Sequence, residues 1–213
     1  MTAPPDMTMN RVIHGAVRRD LDRLSTALDR LPDGDRARAA QLQRAFAHLR
    51  TELTHDHEGE DAHLWPMLAG AGVDADLLAA MESEHHAMAE ALADTDAALT
   101  RLAGTGVAAD VAAARAGLER TREVVERHLV HEETELEPLL RPHLDSPEWK
   151  AVEKKLSRQP VSVTGPFFAW VTDGMTDEHR AYLRKTVPTP VVTVLARVFG
   201  RRYYREVAPT WRG

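Results

Sequence analysis

Cysteine is absent from the 213-residue chain, which excludes disulfides, iron–sulfur clusters, thiolate zinc sites and cysteine nucleophiles together. Any metal must sit on nitrogen and oxygen. Long apolar runs are missing too, since no window reaches the roughly 18 uninterrupted apolar residues of a membrane helix. Met1 to Asn10 carry neither the basic start nor the apolar stretch of a secretory leader. A cytoplasmic chain with no transmembrane segment is therefore expected. Alternating strand patterns do not occur, and aromatics make up only 5% of the residues. With 43% apolar and 28% charged residues, the composition is that of a soluble globular protein and not of a disordered or fibrous one.

Charge and aromatics are unevenly spread. The formal net charge is −6, but residues 180–213 hold eight Lys or Arg against the single Glu206, leaving residues 1–179 at −13. Eight of the eleven aromatics follow Pro160. This shift marks a boundary near residues 141–147, where Arg141, Pro142, His143, Leu144, Asp145, Ser146 and Pro147 read as a turn and a new helix start. Two parts are expected, a bundle over 8–142 and a basic, aromatic-rich helical extension over 146–213.

Before the boundary, apolar residues recur at three- and four-residue spacing in four segments, interrupted by Pro32-Asp33-Gly34, Gly70-Ala71-Gly72 and Gly104-Thr105-Gly106. The pattern predicts helices over 9–31, 36–68, 74–102 and 108–140. Each carries an apolar stripe and not an apolar girth, for example Leu42, Phe46, Leu49 and Leu53 on the second. Four such helices joined by short turns bury their stripes against one another. The expected fold is all-α, an up-down-up-down four-helix bundle with a C-terminal helical extension. The second and fourth helices also echo each other, because Glu60 to Leu68 can be laid on Glu132 to Leu140 with Pro66 on Pro138.

The informative departure lies in the middle of the stripes, where polar side chains replace leucine. At 100° per residue, His57 falls about 40°, Glu60 about 20° and Asp61 about 80° from the centre of the second stripe. On the fourth helix His128 is about 60° and Glu132 about 20° away; on the third His85 is about 40° away, and on the first His14 about 60°. Each helix thus offers one inward histidine, and the other seven, His48, His55, His63, His86, His131, His143 and His179, are read as surface residues. His57 with Asp61 and His128 with Glu132 stand at i,i+4, so each pair shares a face. Unpaired carboxylates in a bundle core cost several kcal/mol, so a cation is required among them. Imidazole with carboxylate suits iron, manganese or zinc, and ligand type does not choose among the three.

In this order, His14, then His57-Glu58-Gly59-Glu60-Asp61, then Glu84-His85, then His128-Leu129-Val130-His131-Glu132-Glu133, the chain resembles the hemerythrin family of HHE cation-binding domains over residues 8–142. The resemblance implies a non-heme centre of two iron ions, Fe2+ or Fe3+, bridged by oxo or hydroxo, with manganese and zinc left open. It puts His14, His57, Asp61, His85, His128 and Glu132 on the metals, and Glu60 as substitute or supporting partner. The second-helix register stays open by one residue, since the internal echo lays Asp56, not His57, on His128. The chain lacks the third-helix His-x-x-x-His of the oxygen-carrying members, with Ala89 four residues after His85. A ferritin-like di-iron pattern fits less well: Glu52-x-x-His55 points off the stripe and the fourth helix has no Glu-x-x-His.

These readings imply a non-heme di-iron protein that binds dioxygen, peroxide or nitric oxide for sensing or detoxification. The alternative is a metal-dependent regulatory module whose basic tail engages a protein or nucleic-acid partner. For that tail, three readings stand: aromatics that complete a helical core, a nucleic-acid patch of Arg201, Arg202, Tyr203, Tyr204 and Arg205, or binding of the same charges to anionic lipid or an acidic partner.

Overall fold

The computed structural model of the chain describes residues 7–212, so Met1–Asp6 of the segment read for a leader lie outside the described residues. Among the described residues there is no strand. The long helices are α1 (Met9–Asp29), α2 (Arg36–Gly59), α4 (Ala75–Thr105) and α5 (Ala108–His131). Between α2 and α4 stands the short α3 (Trp65–Gly70), and after α5 come α6 (Glu137–Leu140), α7 (Pro147–Ser157), α8 (Val161–Thr172), α9 (Asp177–Thr186), α10 (Thr189–Val194) and α11 (Arg201–Glu206). The predicted second and fourth helices are each interrupted, by π-helical turns at Glu60–Leu64 and Glu132–Leu136. A third π turn spans Leu195–Phe199.

Proline explains the first two interruptions. Pro66 and Pro138 have no N–H to donate, and in a regular helix each ring would press on the carbonyl four residues back. The chain widens one turn instead: the Trp65 N–H donates to the Glu60 carbonyl and the Glu137 N–H to the Glu132 carbonyl, each five residues back. The Glu60 to Leu68 and Glu132 to Leu140 echo is therefore a repeated π turn, and each turn begins on a buried glutamate.

The chain forms two compact units, Leu28–Arg158 and a second made of Met1–Ala27 with Gln159–Gly213. In the first unit α4 packs against both α2 and α5. Its core holds Leu42, Phe46, Leu49 and Leu53 of α2, Met81, Met88 and Leu99 of α4, and Leu118, Val125 and Leu129 of α5, all buried. At Gly117 the α5 backbone comes close to Thr95 of α4, whose hydroxyl is 2.9 Å from that of Thr121. Gly106 ends α4 in the left-handed conformation at φ 71°, where its N–H reaches the Leu102 carbonyl. Beyond the π turns, Leu64, Trp65, Leu68, Leu78, Met81 and Leu136 form a further apolar cluster, with Trp149 of α7 against it.

The second unit is organised by a buried carboxylate. Asp20 of α1 accepts from Trp170 Nε1 at 2.9 Å and from Arg19 Nε at 2.8 Å, and Arg23 lies 3.2 Å away. Arg19 and Arg23 also donate to the carbonyls of Trp170 and Asp173. The Tyr203 hydroxyl donates to Asp173 at 2.8 Å. Trp170, Tyr203 and Phe168 are buried, so these three aromatics of the extension belong to its core, whereas Phe199 is exposed. On its other side, α8 meets the Leu195–Phe199 turn at Gly165, where an added Cβ would stand 2.4 Å from Phe199 Cβ and 2.7 Å from the Phe199 carbonyl carbon.

That close approach yields a pair of opposite stability effects. Gly165→Ala must displace backbone and is expected to cost about 1–3 kcal/mol. Gly104→Ala, in open space on α4, is expected to add about 0.5–1 kcal/mol. Urea unfolding midpoints of the two variants measure both shifts.

Candidate metal centre

Four buried side chains of the first unit converge: His57 of α2, Glu60 at the first π turn, His85 of α4 and His128 of α5, each with a ligand atom within 4.8 Å of the others. The rings pack tightly. His57 stacks on His85 with centroids 4.1 Å apart, and His128 stands edge-on to both at 5.3 and 4.7 Å. Glu132, at the second π turn, is buried with its carboxylate 3.8 Å from His128 Nε2. The two π turns thus deliver the two carboxylates, while regular α-helix delivers the three rings. Trp65 lies against His85 at 5.7 Å and closes that side.

The outer nitrogens of two rings are held by carboxylates. Asp61 lies 2.8 Å from His85 Nδ1, and Glu84 lies 3.0 Å from His128 Nδ1 and 2.9 Å from His131 Nδ1. An ionised carboxylate only accepts, so Nδ1 of His85 and of His128 donates to it, and in the neutral ring Nε2 is then a lone pair on the inner side. This is the arrangement that fixes the tautomer and orientation of metal-binding histidines. Burial lowers the pKa of His128, its largest influence, which further favours the neutral ring that a metal needs.

Charge is unbalanced at the inner side. Burial, and next the neighbouring Glu132, push the Glu60 carboxyl well above its usual range, with Asp56 and Asp61 adding to the effect. The shift favours the protonated carboxyl where no cation balances it. Glu60 Oε2, His85 Nε2 and His128 Nε2 are buried and make no hydrogen bond, although His85 Nε2 stands 3.5 Å from Glu60 Oε2. Buried polar atoms without partners are rare in folded proteins. Two imidazole lone pairs and a carboxylate oxygen pointing at one another form a donor set that fits a divalent transition metal.

A family model supplies independent testimony: that of the hemerythrin HHE cation binding domain matches residues 10–140. The chain belongs to the hemerythrin HHE family. No curated protein and no solved structure shows significant similarity to it. A hemerythrin HHE domain is a metal-binding domain, and the His/Glu cluster is where this chain could hold its metal.

Of the residues singled out in the sequence, the structure brings together His57, Glu60, His85 and His128, with Glu132 beside them. Asp61 is placed differently, on the outer nitrogen of His85 and with its side chain partly exposed. The angular count already sets Asp61 farther from the stripe centre than Glu60; the i,i+4 spacing from His57 and the family pattern are what put it on the metal. His14 is buried on α1, in the other unit. Among the histidines expected at the surface, His55 and His86 are exposed, whereas His131 is half-buried and shares Glu84 with His128. A helix-face count places Glu84 about 50° from the centre of the α4 stripe, flanking it opposite His85, but leaves its role unassigned because the rings that it holds come from another helix. The signal available for it is His128 and His131 at i,i+3, two rings able to reach a single acceptor.

Glu52 is a second residue that the stripes do not reveal. It is buried on α2 with His48 3.6 Å away, and burial, then Asp56, push its carboxyl from 4.5 up to about 8. The folded chain therefore keeps a proton that the unfolded chain releases, and stability is lost as pH rises between those two values. Metal-free protein is expected to unfold at progressively lower temperature from pH 5 to pH 8, and Glu52→Gln is expected to flatten that fall. Calorimetry across the range tests it. Separately, Glu84→Ala, which frees the His128 ring, is expected to weaken metal binding about 10- to 100-fold, as read by competition with a chelating dye.

Proposed function

We propose that this chain is a non-heme di-iron protein whose centre takes up dioxygen, peroxide or nitric oxide and serves in sensing or detoxification. The observation that carries the reading is the set of partnerless inner atoms, Glu60 Oε2, His85 Nε2 and His128 Nε2, sealed in a core with a second carboxylate nearby. His57, His85 and His128 would supply nitrogen ligands, and Glu60 and Glu132 oxygen. His14 and Asp61 are proposed as further ligands on the family pattern, with Asp61 reaching the centre by leaving His85 Nδ1 or acting only through that ring. Iron, when bound, supplies one-electron redox chemistry and an open coordination position for a small ligand.

The protein's own part is preparation. Glu84 and Asp61 hold the protons of His128 and His85 on their outer nitrogens, so both inner lone pairs are ready before a metal arrives. Glu60 gives up its proton on metal uptake, which makes binding tighten as pH rises. Leu64, Trp65 and Met81, buried beside the first π turn, limit water access from that end. The missing third-helix His-x-x-x-His, with Ala89 in place of a second ring, leaves the donor set one imidazole poorer than an oxygen carrier's and favours sensing or detoxification over storage.

Protein expressed with iron and purified without oxygen is expected to hold two iron ions per chain and to develop ligand-to-metal charge-transfer absorption on exposure to air. His57→Ala with His128→Ala is expected to lose the metal while retaining its helical circular dichroism. Iron well below one per chain together with no such absorption overturns the proposal. His14→Ala reports on the first helix: a stoichiometry unchanged by it removes His14 from the ligand set.

A further inference from the structure

The second unit carries an apolar surface that the metal centre does not use. Of the nine large hydrophobic residues that are exposed among those described, five lie in it: Val161, Val191, Val194, Val198 and Phe199. Val191, Val194 and Val198 recur at three- and four-residue spacing along α10 and the π turn after it, and are 47%, 51% and 45% exposed. The opposite side of the same segment is also apolar, with Val192, Ala196 and Gly200 buried and α8 packed against it. The segment thus has one apolar face that serves the fold and another that faces water. An apolar patch kept exposed in this way marks a contact surface.

Charge identifies the occupant. The patch sits in the stretch 180–213 with eight basic residues and one acidic residue, inside a chain whose net charge is −6. Arg184 and Lys185 precede it at the end of α9, Arg197 lies within it, and Arg201, Arg202 and Arg205 follow at once; all six are exposed. A second copy of the chain would set this positive surface against itself. Nucleic acid would need a series of exposed ring faces, but Tyr203 is buried with its hydroxyl on Asp173 and Tyr204 is half-buried under Arg197 at 5.9 Å, which leaves Phe199 as a single exposed ring in the described part of this stretch. A polyanion would also leave the valines in water. No helix among the described residues is long and apolar enough to cross a membrane. A short apolar stripe rimmed by arginine suits the plane of an anionic bilayer, with the valines at the acyl boundary and the guanidinium groups among the phosphates.

We propose that the face built from Val191, Val194, Val198 and Phe199, with its arginine rim, docks on the headgroups of anionic phospholipid as a peripheral membrane contact. The valines set the depth and the arginines set the lipid preference. This docking does not depend on what the metal centre does.

Flotation of the full-length protein with vesicles tests it, using phosphatidylcholine alone and an equal mixture of phosphatidylcholine and phosphatidylglycerol. Binding is expected only to the mixed vesicles and to fall steeply with added salt. Arg201→Gln is expected to weaken it about fivefold. Val194→Asp with Val198→Asp is expected to abolish it with circular dichroism and unfolding midpoint unchanged. If that variant loses its fold, Val194→Ser with Val198→Ser is used in its place, with at least a several-fold loss expected. Equal binding to both vesicle types, or undiminished binding by the valine variants, overturns the proposal. So does association with a single-stranded oligonucleotide, or a dimer broken by the valine variants, when vesicles are not bound.

Discussion

Two carboxylates and three imidazoles cannot share a sealed core without a positive charge between them, and the first unit is arranged around that constraint. Glu60 is the pivotal group. Its carboxyl is buried beside Glu132 and facing His85, and burial first, then Glu132, push its pKa well above the usual range, which favours the protonated form where no cation is near. In their neutral form the inner nitrogens of His85 and His128 offer it no hydrogen, because Nδ1 of each donates outside to Asp61 or Glu84. Glu132 is the neighbour left to share a hydrogen bond with Glu60, and the two inner lone pairs are left for a metal. The stabilising apolar stripes above and below it carry the cost of keeping so polar a cluster in place.

The periodicity of leucine, valine and methionine makes the helices legible, since a 3.6-residue repeat is visible in sequence wherever one face is buried. His57, His85 and His128 are legible for the same reason, as polar interruptions of otherwise apolar stripes. What misleads is the i,i+4 rule: it pairs His57 with Asp61, whereas the count of 100° per residue already sets Glu60 nearer the stripe centre, and Glu60 is the carboxylate that the structure turns inward. The repeated Glu-to-Pro echo marks the two π turns that carry Glu60 and Glu132. Glu84 escapes because its partners come from another helix, and a single helix face contains no trace of them.

The second unit shows a different limit. Asp20 lies about 50° from the centre of the α1 stripe and Asp22 about 150° away, so a helix-face count separates the two, but nothing on α1 names the distant partner of Asp20. Only the indole of Trp170, 150 residues away, and the guanidinium groups of Arg19 and Arg23 make it a buried anchor. The same sequestration decides what the extension can present to the outside. With Trp170 and Tyr203 buried and Tyr204 covered by Arg197, its outward chemistry is arginine, valine and the ring of Phe199, not the series of stacking faces that composition alone suggests.

The central claim is that the inner faces of His57, His85 and His128 and the Glu60 carboxylate enclose a metal. Anomalous difference maps from crystals grown with iron(II), recorded on both sides of the iron absorption edge, examine it directly. The account predicts a peak at bonding distance, about 2 Å, from Nε2 of His85 and of His128 and from a Glu60 oxygen. Well-ordered side chains with no peak among them, or iron found only at exposed histidines such as His55 and His86, would contradict it.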